Sequence, residues 1–218
     1  MNDKLDFLAR VPLFAELGRD ELDTLGGMAV MRSFPRDVII FQENDYADAL
    51  YMIREGRVKV VLADEDGHEV IVSILQAGES FGELALIDSE VRCARVVTMT
   101  DVKVAMLAKA DFQDWLQRNP SIALSLLQDV ARRLRLANET IGSLAMLDVH
   151  GRVARVLLNN AASEDGQLVV RTPMTQKDIA AMVGASREMV NRVFKQLAEQ
   201  GSISLRDGQI YIHQSLKP

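Results

Sequence analysis

The feature that most restricts this chain is an apolar stripe in its second half. From Leu127 the residues Val130, Leu134, Ala137, Ile141 and Leu144 follow at steps of 3, 4, 3, 4 and 3. That rhythm is the seam of a two-stranded coiled coil, in which each helix covers the other's apolar strip. The opposite face carries Arg132, Arg133, Arg135, Asn138 and Glu139, so only a narrow strip asks for cover. Pro120 suits the start, because a proline in a first turn gives up an N–H that has no helical partner anyway. The next proline is Pro173. A long helix over 119–147 that pairs with a second copy of the chain is therefore expected. Gly142 weakens it by about 1 kcal/mol relative to Ala, and the pattern stops at 148–151, where a hinge is expected.

This helix divides the chain. Before it, residues 34–107 hold short β-type runs at 38–41, 49–53, 57–62, 69–75 and 94–99, punctuated by Gly56, Gly67, Gly78 and Gly82. Strands about ten residues apart build a small roll or barrel. In the third run Val58, Val60 and Leu62 should share one face, and Asp64-Glu65-Asp66-Gly67 should close a hairpin. Residues 3–30 have helical spacing, broken by Pro12 and Gly18, and should pack outside the roll.

After the long helix, 152–162 reads as a helix, Asp165-Gly166 as a turn and 168–171 as a short strand. Thr175 with Asp178 makes a capping box, Gly184 breaks the pattern, and Ser186 caps a second helix running to about Glu199. This is helix-turn-helix spacing. Runs at 203–206 and 209–213 flank Asp207-Gly208, a tight hairpin that would form a wing. The expected fold is α+β: a jelly-roll-like β-roll at 1–118, the dimerisation helix at 119–147, and a winged helix-turn-helix at 148–218.

Charge separates the same parts. The net charge is −6, but residues 1–147 carry 16 Lys and Arg against 24 Asp and Glu, whereas 148–218 carry 9 against 7. If DNA is the partner, the C-terminal third must hold it, and the acidic remainder weakens non-specific binding to phosphates. In the roll, Phe81-Gly82-Glu83-Leu84-Ala85 is followed by Arg92-Cys93-Ala94. A Gly lets backbone N–H groups approach an anion, a carboxylate can accept from ribose hydroxyls, and an Arg can grip a phosphate. Strand alternation would turn Arg92 and Ala94 inward and leave Cys93 and Arg95 outside.

These phrases, with Leu50-Tyr51-Met52-Ile53, Gly56-Arg57-Val58 and Pro12-Leu13-Phe14, resemble the cyclic-nucleotide-binding domains of the CRP/FNR family. Leu144-Ala145-Met146-Leu147-Asp148-Val149 leading into Gly151-Arg152, then Gly184 and Ser186-Arg187-Glu188, is similar to the cyclic-AMP-sensing branch of that family. The resemblance spans essentially the whole chain. It implies a homodimeric transcription regulator, allosterically controlled by a cyclic nucleotide and binding palindromic double-stranded DNA, with RNA polymerase as a further partner. In that reading Glu83 binds the ribose 2′-hydroxyl, Arg92 the cyclic phosphate, and the backbone of Gly82, Leu84 and Cys93 the remaining polar atoms. Two departures bear on the effector. Cys93 stands where that branch has a Ser, and Ala137-Asn138 where its long helix presents two hydroxyls to adenine. Asn138 can donate and accept toward a base. Cyclic AMP is the expected effector, with cyclic di-GMP and an effector-independent dimer as alternatives. A nucleotide-binding module without DNA contact is the alternative of another class.

The DNA-reading residues are expected on the second helix of the motif. Arg187, Glu188, Asn191 and Arg192 share one of its faces after the Ser186 cap, with the first two in the turn that meets base edges. An Arg grips guanine O6 and N7, and a Glu accepts from the cytosine amino group, which suits G·C steps. By the resemblance this favours a TGTGA-like half-site. Lys195, Gln176 and Lys177 are assigned to phosphates.

Other chemistries find no residues. His68, His150 and His213 lack metal-ligand spacing, and Cys93 is the sole cysteine. Neither metal, haem, iron–sulfur cluster nor disulfide is expected. No nucleophile stands beside a base, so an enzyme is not expected. With no long apolar run and no basic-then-apolar start, the expected location is cytoplasmic, with no membrane contact.

Overall fold

The computed structural model describes residues 6–88, 90–164, 166–170, 174–206, 208–213 and 216. The expected turn residues Asp165 and Asp207, the strand end at Arg171, Pro173, and positions 3–5 lie outside the described residues. The chain forms two compact units, residues 1–67 with 72–134 and residues 68–71 with 135–218.

In the first unit a 3-10 turn at Pro12–Phe14 and helix α1 (Arg19–Met28) precede strands β1 (Val30–Phe34), β2 (Ile39–Phe41), β3 (Ala49–Glu55), β4 (Arg57–Ala63), β5 (Glu69–Gln76) and β6 (Ser80–Phe81). Helix α2 (Leu84–Ile87), strands β7 (Arg95–Thr98) and β8 (Val102–Ala108), and helix α3 (Lys109–Arg118) complete it up to the long helix α4 (Pro120–Met146). The strands form two four-stranded sheets, β1-β8-β3-β6 and β2-β7-β4-β5.

Side chains of β3 alternate between two cores, as a strand's period of two requires. Ala49, Tyr51 and Ile53 join Val58, Phe81, Val96 and Val104 in one core cluster. Leu50 and Met52 join Leu8, Phe14, Leu25, Phe112 and Ile122 in another, supplied by the helices. Trp115 belongs to the helical cluster and points its indole N–H at Met28 Sδ, 3.3 Å away.

Several expectations are corrected here. Val30 falls in strand β1 rather than closing a helical segment. The α1 helix ends at Met28, the Ala29 amide returns to the Leu25 carbonyl, and Val30 pairs with Met106 across β8. Of the face expected for Val58, Val60 and Leu62, the first two pack in one core cluster, with Val60 also lining a cavity, but Leu62 is exposed and Val61 is buried. The hairpin after β4 does close at Gly67, whose φ is 82° and whose N–H donates to the Asp64 carbonyl.

The α4 helix runs unbroken for 27 residues, about 40 Å at 1.5 Å per residue. Its stripe residues Leu127, Leu134 and Ile141 are 66%, 61% and 63% exposed on the single chain. After α4, Asp148 caps helix α5 (Val149–Asn159) by accepting from the Gly151 amide at 2.8 Å. His150 and Gly151 therefore lie inside a helix and not in the expected hinge at 148–151; only 147 and 148 stand outside the two helices. Arg155 of α5 donates to Ser143 Oγ at 2.8 Å.

The α5 helix stops at Asn159, short of the expected 162. Asn160 bonds back to the Val156 carbonyl, and Ala161–Glu164 becomes strand β9 through pairing with β10 (Gln167–Val170). Helices α6 (Gln176–Val183) and α7 (Arg187–Glu199) and strands β11 (Ile203–Arg206) and β12 (Gln209–Ile212) complete the second unit, whose sheet runs β11-β12-β10-β9. Val153, Ile179, Val190, Phe194 and Ile212 share its core.

Candidate functional site

The turn between β6 and α2 and the segment leading into β7 face each other across a cavity of about 400 Å3, counted out to its mouth. Gly82, Glu83, Leu84, Arg92 and Cys93, all singled out from the sequence, line it together. Phe41 and Val60 form apolar walls, and Arg133 of α4 closes one side.

Arg92 is 2% exposed. Its Nη1 donates to the Gly82 carbonyl at 2.6 Å, and its Nη2 to the Ala49 carbonyl at 2.8 Å and to Asp48 Oδ1 at 3.2 Å. The guanidinium lies 4.3 Å from the centre of the Phe41 ring, a cation–π contact. Phe41 in turn packs on Tyr51 and Phe81, which stack at 5.0 Å. Arg92 is not in a strand, as alternation had assumed. Its amide donates to the Asp45 carbonyl, its carbonyl accepts from the Asn44 amide, and β7 begins only at Arg95. This strap of 44–45 turns Arg92 and Ala94 inward, while Arg95 is half-buried instead of exposed.

Gly82 answers a close approach. Its φ is 86°, a region open to Gly, and a Cβ there would stand 2.5 Å from Arg92 Nη1. Glu83, also 2% exposed, accepts from Arg133 Nη1 at 3.1 Å. Burial pushes its carboxyl above the usual carboxylate range, against the pull of Arg133. Arg133 also donates to the Ser80 carbonyl at 2.6 Å, and its Nε lies 2.7 Å from Asp129 Oδ2.

Arg133 is the cavity residue that the sequence reading does not single out. On the sequence it falls on the charged face of the helix, yet it reaches into the cavity. Its spacing of four from Asp129 was the only local sign that it is held; nothing local points to Glu83. Asn138 is exposed on α4 and is not among the residues lining the cavity.

The second unit presents a charged helix. Val190, Val193, Phe194 and Leu197 bury one side of α7, which leaves Arg187, Glu188, Asn191, Arg192 and Lys195 exposed. Ser186 Oγ accepts from the Met189 amide at 3.2 Å. Its own backbone N–H first, and then the Ser186 hydroxyl, hold the Glu188 carboxyl below its usual range. Before it, Thr175 and Asp178 form the expected capping box of α6, with Gln176 in its first turn, and Gly184 ends that helix at φ 59°.

Comparison with known proteins agrees with both units. Residues 31–119 match the family model of the cyclic nucleotide-binding domain, and 151–215 that of the Crp-like helix-turn-helix domain. The chain is 34% identical over 214 residues to the CRP-like cAMP-activated global transcriptional regulator of Mycobacterium tuberculosis, covering 96% of each. It is 35% identical over 187 residues to the cAMP-activated global transcriptional regulator CRP of Salmonella typhimurium, covering 84% of this chain and 89% of that one. Among solved structures it is similar to the c-di-GMP responsive global regulator CLP of Xanthomonas campestris, with a TM-score of 0.75, 26% identity, and coverage of 87% and 96%. No helix among the described residues is long and apolar enough to cross a membrane. The chain belongs to the CRP/FNR family of transcription regulators.

Proposed function

We propose that the chain works as a homodimer that binds cyclic AMP in the cavity beside Arg92 and, so loaded, reads palindromic operators with α7. In this reading 1–118 is the effector domain, 119–147 the dimerisation helix and 148–218 the DNA-binding domain. One observation carries the effector half. Arg92 Nε and Glu83 Oε2 are buried in the same cavity without a hydrogen-bond partner among the described residues. Buried polar atoms are nearly always paired, so two orphans of opposite charge in one cavity call for a ligand that is anionic at one end and hydroxylated at the other. A cyclic nucleotide has that chemistry. The choice of cyclic AMP follows the relatives named for their activation by it.

A ribose hydroxyl donating to Glu83 would share or replace the Arg133 contact. The α4 helix would thereby register whether the cavity is filled, and the ligand would shift the population of dimers able to grip DNA. The base contact expected of Asn138 from the sequence is tested by the preference of Asn138→Ala between cyclic AMP and cyclic GMP. On DNA, Arg187 and Glu188 read bases, Asn191 and Arg192 adjoin them, and Gln176, Ser186 and Lys195 position the phosphate backbone. RNA polymerase, in the cytoplasm, is the partner on which the bound dimer acts.

A second reading, cyclic di-GMP as effector, is favoured by the likeness to the regulator named for its response to that molecule. Calorimetric titration with cyclic AMP, cyclic GMP and cyclic di-GMP, followed by operator binding with and without the bound nucleotide, separates the two. Heat with none of them and operator affinity independent of all three would leave an effector-independent regulator.

A further inference from the structure

Cys93 is the only cysteine of the chain, it is exposed, and it lines the same cavity as Arg92 and Glu83. A group attached to its sulfur is therefore held at the lining of the cavity those two charges share. The cavity is marked as a ligand site independently of the thiol by Glu83 Oε2, buried and without a hydrogen-bond partner among the described residues. We propose that Cys93 is a covalent control point of the effector cavity: a mixed disulfide on its sulfur occupies part of that cavity and excludes the nucleotide. The proposal rests on the nucleotide reading given above.

The chemistry needs only a small disulfide as co-reactant. The Cys93 thiolate attacks one sulfur of the disulfide, the new S–S bond forms as the old one breaks, and the departing thiolate takes up the proton that Cys93 gave up. The disulfide is reduced to one free thiol as Cys93 is oxidised, and excess free thiol reverses the step. With no second cysteine in the chain, no internal disulfide can compete.

The surroundings select the reagent. The carboxylates that bear on the thiol are Glu83, Asp88 and Glu43, and the cations lining the cavity with it are Arg92 and Arg133. Both guanidiniums are already engaged by carboxylates or carbonyls. Burial first, and then those three carboxylates, push the thiol above its usual range, so it is mostly protonated at neutral pH and exchanges slowly. A cationic disulfide is attracted by the same carboxylates that slow the reaction. Cystamine is the matching probe, and a bound phosphate beside Arg92 should slow the exchange further.

The test uses the full chain. It is treated with cystamine, the single adduct is verified by intact mass, and cyclic AMP binding is measured by calorimetry before treatment, after it, and after dithiothreitol. The expected result is an affinity loss of about tenfold or more, reversed by dithiothreitol, together with slower adduct formation when cyclic AMP is present. For Cys93→Ser the affinities with and without cystamine should be the same. Unchanged affinity of the modified chain, or a cystamine effect that persists in Cys93→Ser, overturns the proposal. If the untreated chain binds none of the three nucleotides, the proposed effector fails first, and the control point fails with it.

Discussion

The contact between Gly82 and Arg92 can be weighed by comparing two glycines with nearly the same backbone. Gly82 and Gly67 have φ of 86° and 82°, so Ala at either position meets the same left-handed strain, about 1–2 kcal/mol. Their neighbours differ. A Cβ on Gly67 has nothing within 4 Å, whereas one on Gly82 stands 2.5 Å from Arg92 Nη1. That guanidinium is fixed by two carbonyls and Asp48 and cannot retreat without loosening a charge-assisted hydrogen bond, worth about 1.5–3 kcal/mol. Gly67→Ala should therefore lose about 1–2 kcal/mol and Gly82→Ala about 2.5–5 kcal/mol. Urea unfolding followed by Trp115 fluorescence measures both, because the single Trp lies in the helical core of the same unit. Equal losses in the two variants would refute the reasoning, since they would mean that the guanidinium yields at no cost. Gly82→Ala should also weaken nucleotide binding, and Gly67→Ala should not.

Three further outcomes follow from the same geometry. The raised Glu83 carboxyl holds a proton in the folded chain at pH values where the unfolded chain, titrating at the ordinary carboxylate value, has already lost it. Stability should fall as pH rises from that value through the raised one and then level off; Glu83→Gln should remove this slope in urea midpoints, and an unchanged slope would assign it to another group. Leu134→Glu with Ile141→Glu places charges on two exposed stripe positions and should give monomers in analytical ultracentrifugation that no longer bind a palindrome; a persisting dimer would put the seam elsewhere. Arg187→Ala should lose about 1–3 kcal/mol at one guanine only, whereas Lys195→Ala should weaken all operators alike and lower the salt slope by about one unit. Uniform loss in Arg187→Ala would make it a phosphate contact.

Local rules made the second half of the chain legible. The α4 stripe, the Thr175–Asp178 box and the Ser186 cap are each set by residues within a few positions of one another. The cavity was legible in part. Gly82, Glu83 and Arg92 were named, and Arg92 is buried as expected, but by the strap of 44–45 and not by strand alternation. The Glu83–Arg133 pair bridges 50 positions, and an Arg on a charged helix face looks solvated until its partner is known. Val30–Phe34 was hidden for the same reason, because its strand partner is β8, far along the chain.

The two-sided burial of β3 limits how this roll can change. In a strand with one wet face, polarity forbids a one-residue slip. Residues 49–53 are apolar and buried on both faces, so a slip against β8 would exchange the Leu50 and Met52 set with the Ala49, Tyr51 and Ile53 set while wetting neither. Volume alone must forbid it. Leu50 opposite Leu107, Tyr51 opposite Met106 and Ala49 opposite Ala108 act as a size code, with Tyr51 fixed further by its stack on Phe81. Drift in this strand should accordingly run through paired exchanges that hold the summed volume of each facing couple, even where every single replacement would be as hydrophobic as the residue it removes.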